Sequence, residues 1–403
     1  MARKDNRGRN LKVGESQRKD GRYMYRYTDQ RTGERITIYD TDLAALREKE
    51  RQIARDQEDG LVTDQGVKKL TVNALFERYM QAQELAESTR TNYLATWKNH
   101  VQNTIGPMRV VQVRPSHIQT FYAGLGKEGY AHNTIKLIHT LLFPSFDMAV
   151  DDDIIRKNPA KDALKDYGKP AQERVALTVA QQEKLLAFAQ QSKVYRKRLP
   201  MLQVMLGISC RCSELIGLTW QDVDLERRKV SIGSQLIYKN YGDGYKFHWA
   251  TPKTAAGIRT IPMSDMVYHA FEAQKRQNFL LGIPRNVEVE GRSDYIFVSK
   301  NGRPLMPSAV NNAIYNLVAA YNRRETALAE AEGREAELIP DISSHNMRHT
   351  GCTRMAERNL NVKVVQYVMG HSNSGVTMDV YTHITEQAQV EKEIAKMNKV
   401  QAV

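Results

Sequence analysis

Between Leu70 and Pro159 the apolar residues recur at helical spacing, and this stretch narrows the architecture more than any other. Val72, Leu75, Phe76 and Tyr79 open one helix. Tyr93, Leu94, Trp97 and Val101 define a second, with Ser88 placed to cap its start. Gly106-Pro107 breaks the chain. Ser116 is placed to cap a third helix carrying Ile118, Phe121, Tyr122 and Leu125, and a fourth carries Ile135, Ile138, Leu142 and Phe146. Asn158-Pro159 closes the region. Four helices over 70–160 make an all-α domain of common size. A chain of 403 residues is too long for one core, so the residues on either side must fold separately.

Before this region the pattern differs. Tyr23, Tyr25 and Tyr27 alternate with Arg22, Met24 and Arg26, which predicts a strand with a tyrosine face and a basic face. Thr32-Gly33 reads as a turn, Arg35 to Tyr39 as a second strand, and Gly14 to Arg18 as a third. A polar helix follows over Leu43 to Glu58. Residues 1–65 thus read as a small three-stranded sheet with one helix. Arg18, Lys19, Arg22 and Arg26 make it basic. Such a sheet can lay a strand face into a DNA major groove, and a solvated basic arm fits the same charges. In the helical region Lys98 and Lys136 are candidates for a DNA-facing surface.

Residues 161–174 lack periodicity and contain Gly168, Pro170 and Lys169, so they read as an extended linker able to run along a phosphate backbone. From 175 to 403 the patterns are mixed. Thr178-x-x-Gln181 is a capping box. Pro200 opens a helix, strands are predicted over Lys229 to Ile232, Gln235 to Tyr238 and Ile258 to Pro262, and helices return to the end. The fold class is therefore multidomain α+β: a β-sheet domain, an all-α domain, and a mixed, mainly helical domain with a small antiparallel sheet.

Composition narrows the partner. Net charge is +13, which favours a polyanion. No apolar run approaches the ~20 residues that span a bilayer, and the charged start Met1-Ala2-Arg3-Lys4-Asp5 is unlike a signal peptide. The expectation is a cytoplasmic protein without a membrane partner. Three cysteines cannot build a disulfide framework. Cys210 and Cys212 lack companions for a metal set and read as small buried side chains.

Four separated segments hold residues suited to one reaction. Arg211 lies in Ser209-Cys210-Arg211-Cys212-Ser213-Glu214. Lys253 lies in Thr251-Pro252-Lys253-Thr254, before Gly257 to Pro262, which predicts a place near a hairpin tip. His345 and Arg348 lie three apart after a Ser343-Ser344 helix start, on one helix face. His371 follows Gly370, and Tyr381 ends Asp379-Val380-Tyr381. Taken singly, each has an ordinary reading: a solvated arginine, a satisfied histidine, or one of nineteen tyrosines used for packing.

Taken together, in this order and approximate spacing, the segments resemble the tyrosine recombinase (phage integrase) family. The helical region ending Asp153-Ile154-Ile155-Arg156-Lys157-Asn158-Pro159 is similar to that family's core-binding domain. Asp5-Asn6-Arg7-Gly8-Arg9 and Gly14 to Tyr23 are similar to the arm-binding domain of conjugative-transposon integrases. One position departs: the family usually has glycine two residues before the arginine, where this chain has Ser209. Serine serves there if the backbone does not need a positive φ.

The resemblance implies a site-specific recombinase that excises and integrates a mobile element through a Holliday junction. It acts as a tetramer on double-stranded DNA, at element ends and arm-type repeats, among the nucleoid DNA of a bacterial cell. An accessory excision protein is a candidate partner. The chemistry fits these residues. Guanidinium groups hold phosphate oxygens bidentately and stay charged, which suits Arg211 and Arg348. His345 and His371 can donate to the same oxygens or move protons. Lys253 can protonate the departing 5′-oxygen, and Tyr381 is the nucleophile. Glu214 is placed to buttress Arg211 from beneath. One phosphate ester replaces another, so no nucleotide cofactor is required, and neither a phosphate-binding Gly-rich loop nor a carboxylate cluster for metal is found. The helix expected over Glu386 to Val403, with Val390, Ile394 and Met397 on one stripe, is implied to pack on a neighbouring protomer, although it could equally cover its own domain.

Two other functions share these features. A type IB topoisomerase-like enzyme uses the same chemistry without strand exchange, but relaxation needs neither an arm domain nor an exchange helix. A non-catalytic DNA-binding regulator has no use for a nucleophile.

Overall fold

The alternation at residues 22–27 does make a strand, and its two faces separate as polarity dictates. The computed structural model describes residues 3–29, 33–63, 67–170, 175–252, 254–373, 375 and 378. The chain divides into two units, residues 1–172 and 173–403.

In the first unit an antiparallel sheet has the order β1 (Glu15–Gln17), β2 (Tyr23–Thr28), β3 (Arg35–Asp40). Helix α1 (Leu43–Glu58) covers it, capped by Asp42, which accepts from the Ala44 and Ala45 N–H groups. Tyr23 and Tyr27 turn inward with Ile38 onto Leu43, Leu46 and Ile53. Arg22 and Arg26 are left exposed on the opposite face, and Arg18 and Lys19 are exposed beside them. The tyrosines are thus core, and the basic side chains form the outer surface.

Helices α2 (Val72–Gln81), α3 (Glu87–His100), α4 (Pro115–Lys127) and α5 (His132–Asp151) enclose a second core. Phe76 stacks on Trp97, whose indole N–H donates to Asn73. Two expected caps are corrected. Helix α3 starts one residue before Ser88, with Ala86 at the cap position and Glu87 placing negative charge in the first turn. Helix α4 starts at Pro115, before Ser116, because proline presets a helical φ and has no N–H to leave unpaired. The stretch expected to be an extended linker instead folds back over residues 161–170. Ala163 is buried there, and Tyr167 packs on the helical core. The His132 N–H donates to Lys169 O and the Lys169 N–H to Tyr130 O, leaving the Lys169 side chain exposed.

The second unit begins with α6 (Val179–Gln191), where Thr178 and Gln181 form the expected capping box, followed by α7 (Leu199–Ile208) and α8 (Cys212–Gly217). Strands β4 (Val223–Asp224) and β5 (Lys229–Ile232) come next. Strands β6 (Gln235–Asn240) and β7 (Tyr245–Ala250) form a separate hairpin, and β8 (Arg259–Pro262) returns to pair with β5. The sheet order is β4-β5-β8, all antiparallel. Strand β7 ends at Ala250 and β8, which starts at Arg259, belongs to the other sheet, so these two strands do not form a hairpin; Lys253, expected near a hairpin tip, lies outside the described residues. Helices α9 (Asp265–Leu280), α10 (Pro307–Glu332), α11 (Ser344–Glu357) and α12 (Val362–Met369) complete the unit around one large apolar core. Cys210 is buried and Cys212 half-buried. Tyr381 and the helix expected over residues 386–403 also lie outside the described residues. Among the described residues, no helix is long and apolar enough to cross a membrane.

Candidate active site

The site is assembled where four helices begin or end. Helix α7 stops at Ser209, which is buried with φ 47°, ψ 37°. The condition set for serine at this position is not met: the backbone does adopt a positive φ, and Ser209 takes the left-handed conformation that favours glycine. Its hydroxyl donates to Leu206 O at 3.3 Å, which offsets part of the strain.

That turn throws Arg211 to the start of α8. Three residues on, Glu214 folds back so that one carboxylate oxygen accepts from the Arg211 backbone N–H at 2.8 Å and the other from Arg211 Nη1 at 2.8 Å. The Arg-x-x-Glu spacing is therefore a helix-start device that also aims the arginine. The Arg211 side chain is 41% exposed, while Glu214 is buried.

Helix α11 starts at Ser343, where Asn346 accepts from both the backbone N–H and the hydroxyl. His345 is exposed in its first turn. Arg348, almost one turn further, is buried. Its Nη1 donates to Ser209 O at 2.7 Å, and its Nη2 donates to Met369 O. The approach depends on Gly351, where an added Cβ would lie 2.3 Å from Ser209 Oγ and 2.4 Å from Leu206 O.

Helix α12 ends at Gly370, also left-handed at φ 62°. Its carbonyl accepts from Arg211 Nη2 at 3.3 Å, and His371 follows directly. A cleft of about 490 Å³ is lined by Arg211, Glu214, Gly370 and His371, and by Pro252 and Thr254 on either side of residue 253. The structure thus brings Arg211, Glu214, Arg348 and His371 together and leaves His345 exposed at the start of the helix that carries Arg348.

One site residue carries no role in the sequence reading. Arg259, at the start of β8, is buried and donates to both oxygens of Glu214, to Gly257 O and to Val368 O. The available signal was strand alternation. Arg259 shares the inward face with Ile261, and a charge on such a face needs a buried partner.

The site carries three guanidinium groups against one carboxylate, so it is cationic. Burial pushes the Glu214 carboxyl up, but the Arg259 and Arg211 hydrogen bonds win and hold it below the usual carboxylate range. Burial, with Arg211 and Arg259 nearby, lowers Arg348 to about 10, still protonated at neutral pH. Burial and then the cations Arg348, Arg211 and Arg259 bring His371 down to about 4, so its imidazole is neutral at pH 7. Two clamping cations beside a neutral imidazole suit an oxyanion such as a phosphodiester. The candidate DNA contacts Lys98, Lys136 and Lys169 are all exposed in the first unit, as are Arg18, Lys19, Arg22 and Arg26.

Three family models match parts of the chain. Residues 176–388 match the Phage integrase family, residues 71–126 the phage integrase N-terminal SAM-like domain, and residues 1–57 the DNA binding domain of Tn916 integrase. The chain is similar to the transposase from transposon Tn916 of Enterococcus faecalis, with 34% identity covering 98% of this chain and 97% of that protein. It is also similar in structure to the Tn1549 transposon integrase solved with a circular intermediate DNA. That match has 30% identity and a TM-score of 0.70, and it covers 81% of this chain and 99% of the other. A lambda integrase dimer bound to a core site shares the fold at 18% identity and a TM-score of 0.52, over 93% of this chain and 95% of that one.

Proposed function

The chain belongs to the tyrosine recombinase (phage integrase) family, and from that premise we propose that it cuts and rejoins double-stranded DNA through a 3′-phosphotyrosine at Tyr381. In this reading it excises and integrates a conjugative transposon through a Holliday junction, as a tetramer on paired sites. The basic sheet holds arm-type repeats.

Arg211 and Arg348 hold the non-bridging oxygens of the scissile phosphate. As Tyr381 Oη attacks, the new O–P bond forms and the P–O5′ bond breaks. Lys253 delivers the proton that the 5′-oxygen needs. His371, neutral at rest, accepts the tyrosine proton or donates to a phosphate oxygen, and His345 assists from the same helix as Arg348. Glu214 aims Arg211 and does not touch DNA. Rejoining reverses these steps with a 5′-hydroxyl from the partner strand.

The observation that carries this reading is the convergence of Arg211 and Arg348 at the left-handed ends of α7 and α12, beside neutral His371. The test is a nicked suicide duplex carrying an element end, incubated in EDTA with wild type and Tyr381→Phe and run on a denaturing gel. A covalent protein–DNA band for wild type alone is expected. DNA binding without any covalent band would instead support a regulator. A band accompanied by supercoil relaxation and no strand exchange would support a topoisomerase-like enzyme.

A further inference from the structure

We infer that Arg259 is a positioning residue for strand cleavage: by holding both oxygens of Glu214, it keeps that carboxylate from neutralising Arg211 and Arg348. This inference rests on the recombinase reading above. Arg259 touches no substrate, since its side chain has no exposed surface. It acts only through what it holds.

The geometry has two parts. Arg259 Nη2 donates to Glu214 Oε2 at 2.8 Å and Nη1 to Oε1 at 3.3 Å, a two-pronged grip on the carboxylate. The same Oε1 accepts from Arg211 Nη1, and the same Oε2 lies 3.8 Å from Arg348 Nη1. Glu214 is therefore one anion within reach of three cations. A cation that never meets DNA absorbs much of its field, and the two assigned to the phosphate, Arg211 in the cleft lining and Arg348 behind it, remain electropositive. Without Arg259, the carboxylate would pair fully with Arg211 and Arg348.

The second part is mechanical. Arg259 Nε donates to Val368 O at 2.7 Å, and Nη1 to Gly257 O at 3.0 Å. One guanidinium thus ties α8, the end of α12 that leads to His371, and the turn that follows residue 253. Gly370 makes room for it, since a Cβ there would lie 2.8 Å from Arg259 Nη1. Three separate segments of the site share one buried anchor.

The test compares wild type, Arg259→Met, Arg259→Lys, Glu214→Gln and the Glu214→Gln/Arg259→Met pair on the suicide duplex. It measures single-turnover covalent-complex formation, duplex affinity and melting temperature. Arg259→Met is expected to slow cleavage by about 10- to 100-fold, the scale for a group that orients a site from behind, with affinity nearly unchanged. Arg259→Lys keeps the charge beside Glu214 but cannot also reach both carbonyls, so it should fall between wild type and Arg259→Met. In the Glu214→Gln background Arg259→Met should cost much less, because no carboxylate is left to release. The acid limb of the cleavage–pH profile of Arg259→Met should move upward, since one of the cations that depress His371 is gone.

A merely structural arginine would lower melting temperature and affinity together, and its effect would multiply with Glu214→Gln; either result overturns the proposal. Wild-type cleavage by Arg259→Met also overturns it. If Arg259→Met does not fold, Arg259→Lys decides: cleavage at the wild-type rate refutes, and slowed cleavage at wild-type affinity supports. If wild type forms no covalent complex, the recombinase reading fails first. If wild type cleaves and the Arg259 variants match it, only this inference fails.

Discussion

Gly351→Ala should disable the clamp while leaving the fold in place. A Cβ at this position would sit 2.3 Å from Ser209 Oγ and 2.4 Å from the Leu206 carbonyl oxygen. A carbon–oxygen contact needs about 3.3 Å, so α11 must back away from the end of α7 by about 1 Å. Arg348 lies three residues earlier on the same face of α11, and its 2.7 Å bond to Ser209 O would stretch past hydrogen-bonding range. The lost charged hydrogen bond and the overpacking should together cost about 2–4 kcal/mol of stability. A misplacement of 1 Å at a phosphate clamp should cost cleavage about 100-fold. The assay is single-turnover covalent-complex formation on the suicide duplex, with duplex affinity by fluorescence anisotropy and a urea melt alongside. The reasoning predicts slow cleavage, near-normal affinity and partial recovery on adding Ser209→Gly, which removes one of the two clashing atoms. Wild-type cleavage by Gly351→Ala would refute the claim that the approach of α11 to α7 sets Arg348.

Three further outcomes follow from the same geometry. Ser209→Ala keeps the left-handed strain and loses the hydroxyl bond, whereas Ser209→Gly loses both, so the glycine variant should be the more stable by about 1 kcal/mol in urea titrations; the reverse order would mean the strain is negligible. Glu214→Gln leaves buried guanidiniums without their counter-charge and should cost about 3–5 kcal/mol of unfolding free energy, so a loss below about 1 kcal/mol would show that the network is weak. Because the folded-state value of His371 is lowered to about 4, an unfolded chain takes up this proton first as pH falls, and stability should drop between about pH 6.5 and pH 4. His371→Gln should flatten that part of the pH–stability curve, and an unchanged curve would place the titration elsewhere.

What could be read in the sequence depended on how local the determining contacts are. The helices at Val72, Leu75, Phe76 and Tyr79, and the cap at Thr178 and Gln181, depend on residues within a turn or two, and the structure has them as expected. Caps failed at Ser88 and Ser116 because serine is a permissive signal, and a neighbouring proline or acidic residue outranks it. Strand β7 is not among the expected strands although Tyr245-Lys246-Phe247-His248-Trp249 alternates behind the Gly242 and Gly244 turn, because none of its residues is buried, and β6 runs two residues past Tyr238. Arg211 and Arg348 were recognisable as a pair only through the order of four distant segments. Arg259 had no such pattern to announce it. Its role depends on contacts to Glu214 and Val368, 45 and 109 positions away.

The carbonyls that grip the clamp also bear on how this chain can drift. Arg348 is held by the main chain at Ser209 and Met369, and Arg211 by the main chain at Gly370 and the carboxylate of Glu214. No side chain at 209 or 369 bonds to the clamp, so substitutions there are filtered by backbone shape and by the buried space each side chain occupies. That explains how a serine can replace the usual glycine without dismantling the phosphate site. In a library randomised at 209, 214, 259, 351 and 369, survivors at 209 should be glycine or small residues that accept a left-handed backbone, survivors at 369 should be apolar, and 214, 259 and 351 should hardly vary. Tolerance would then be lowest where a side chain makes the bond or would fill needed space, and limited by backbone and packing where a carbonyl makes it.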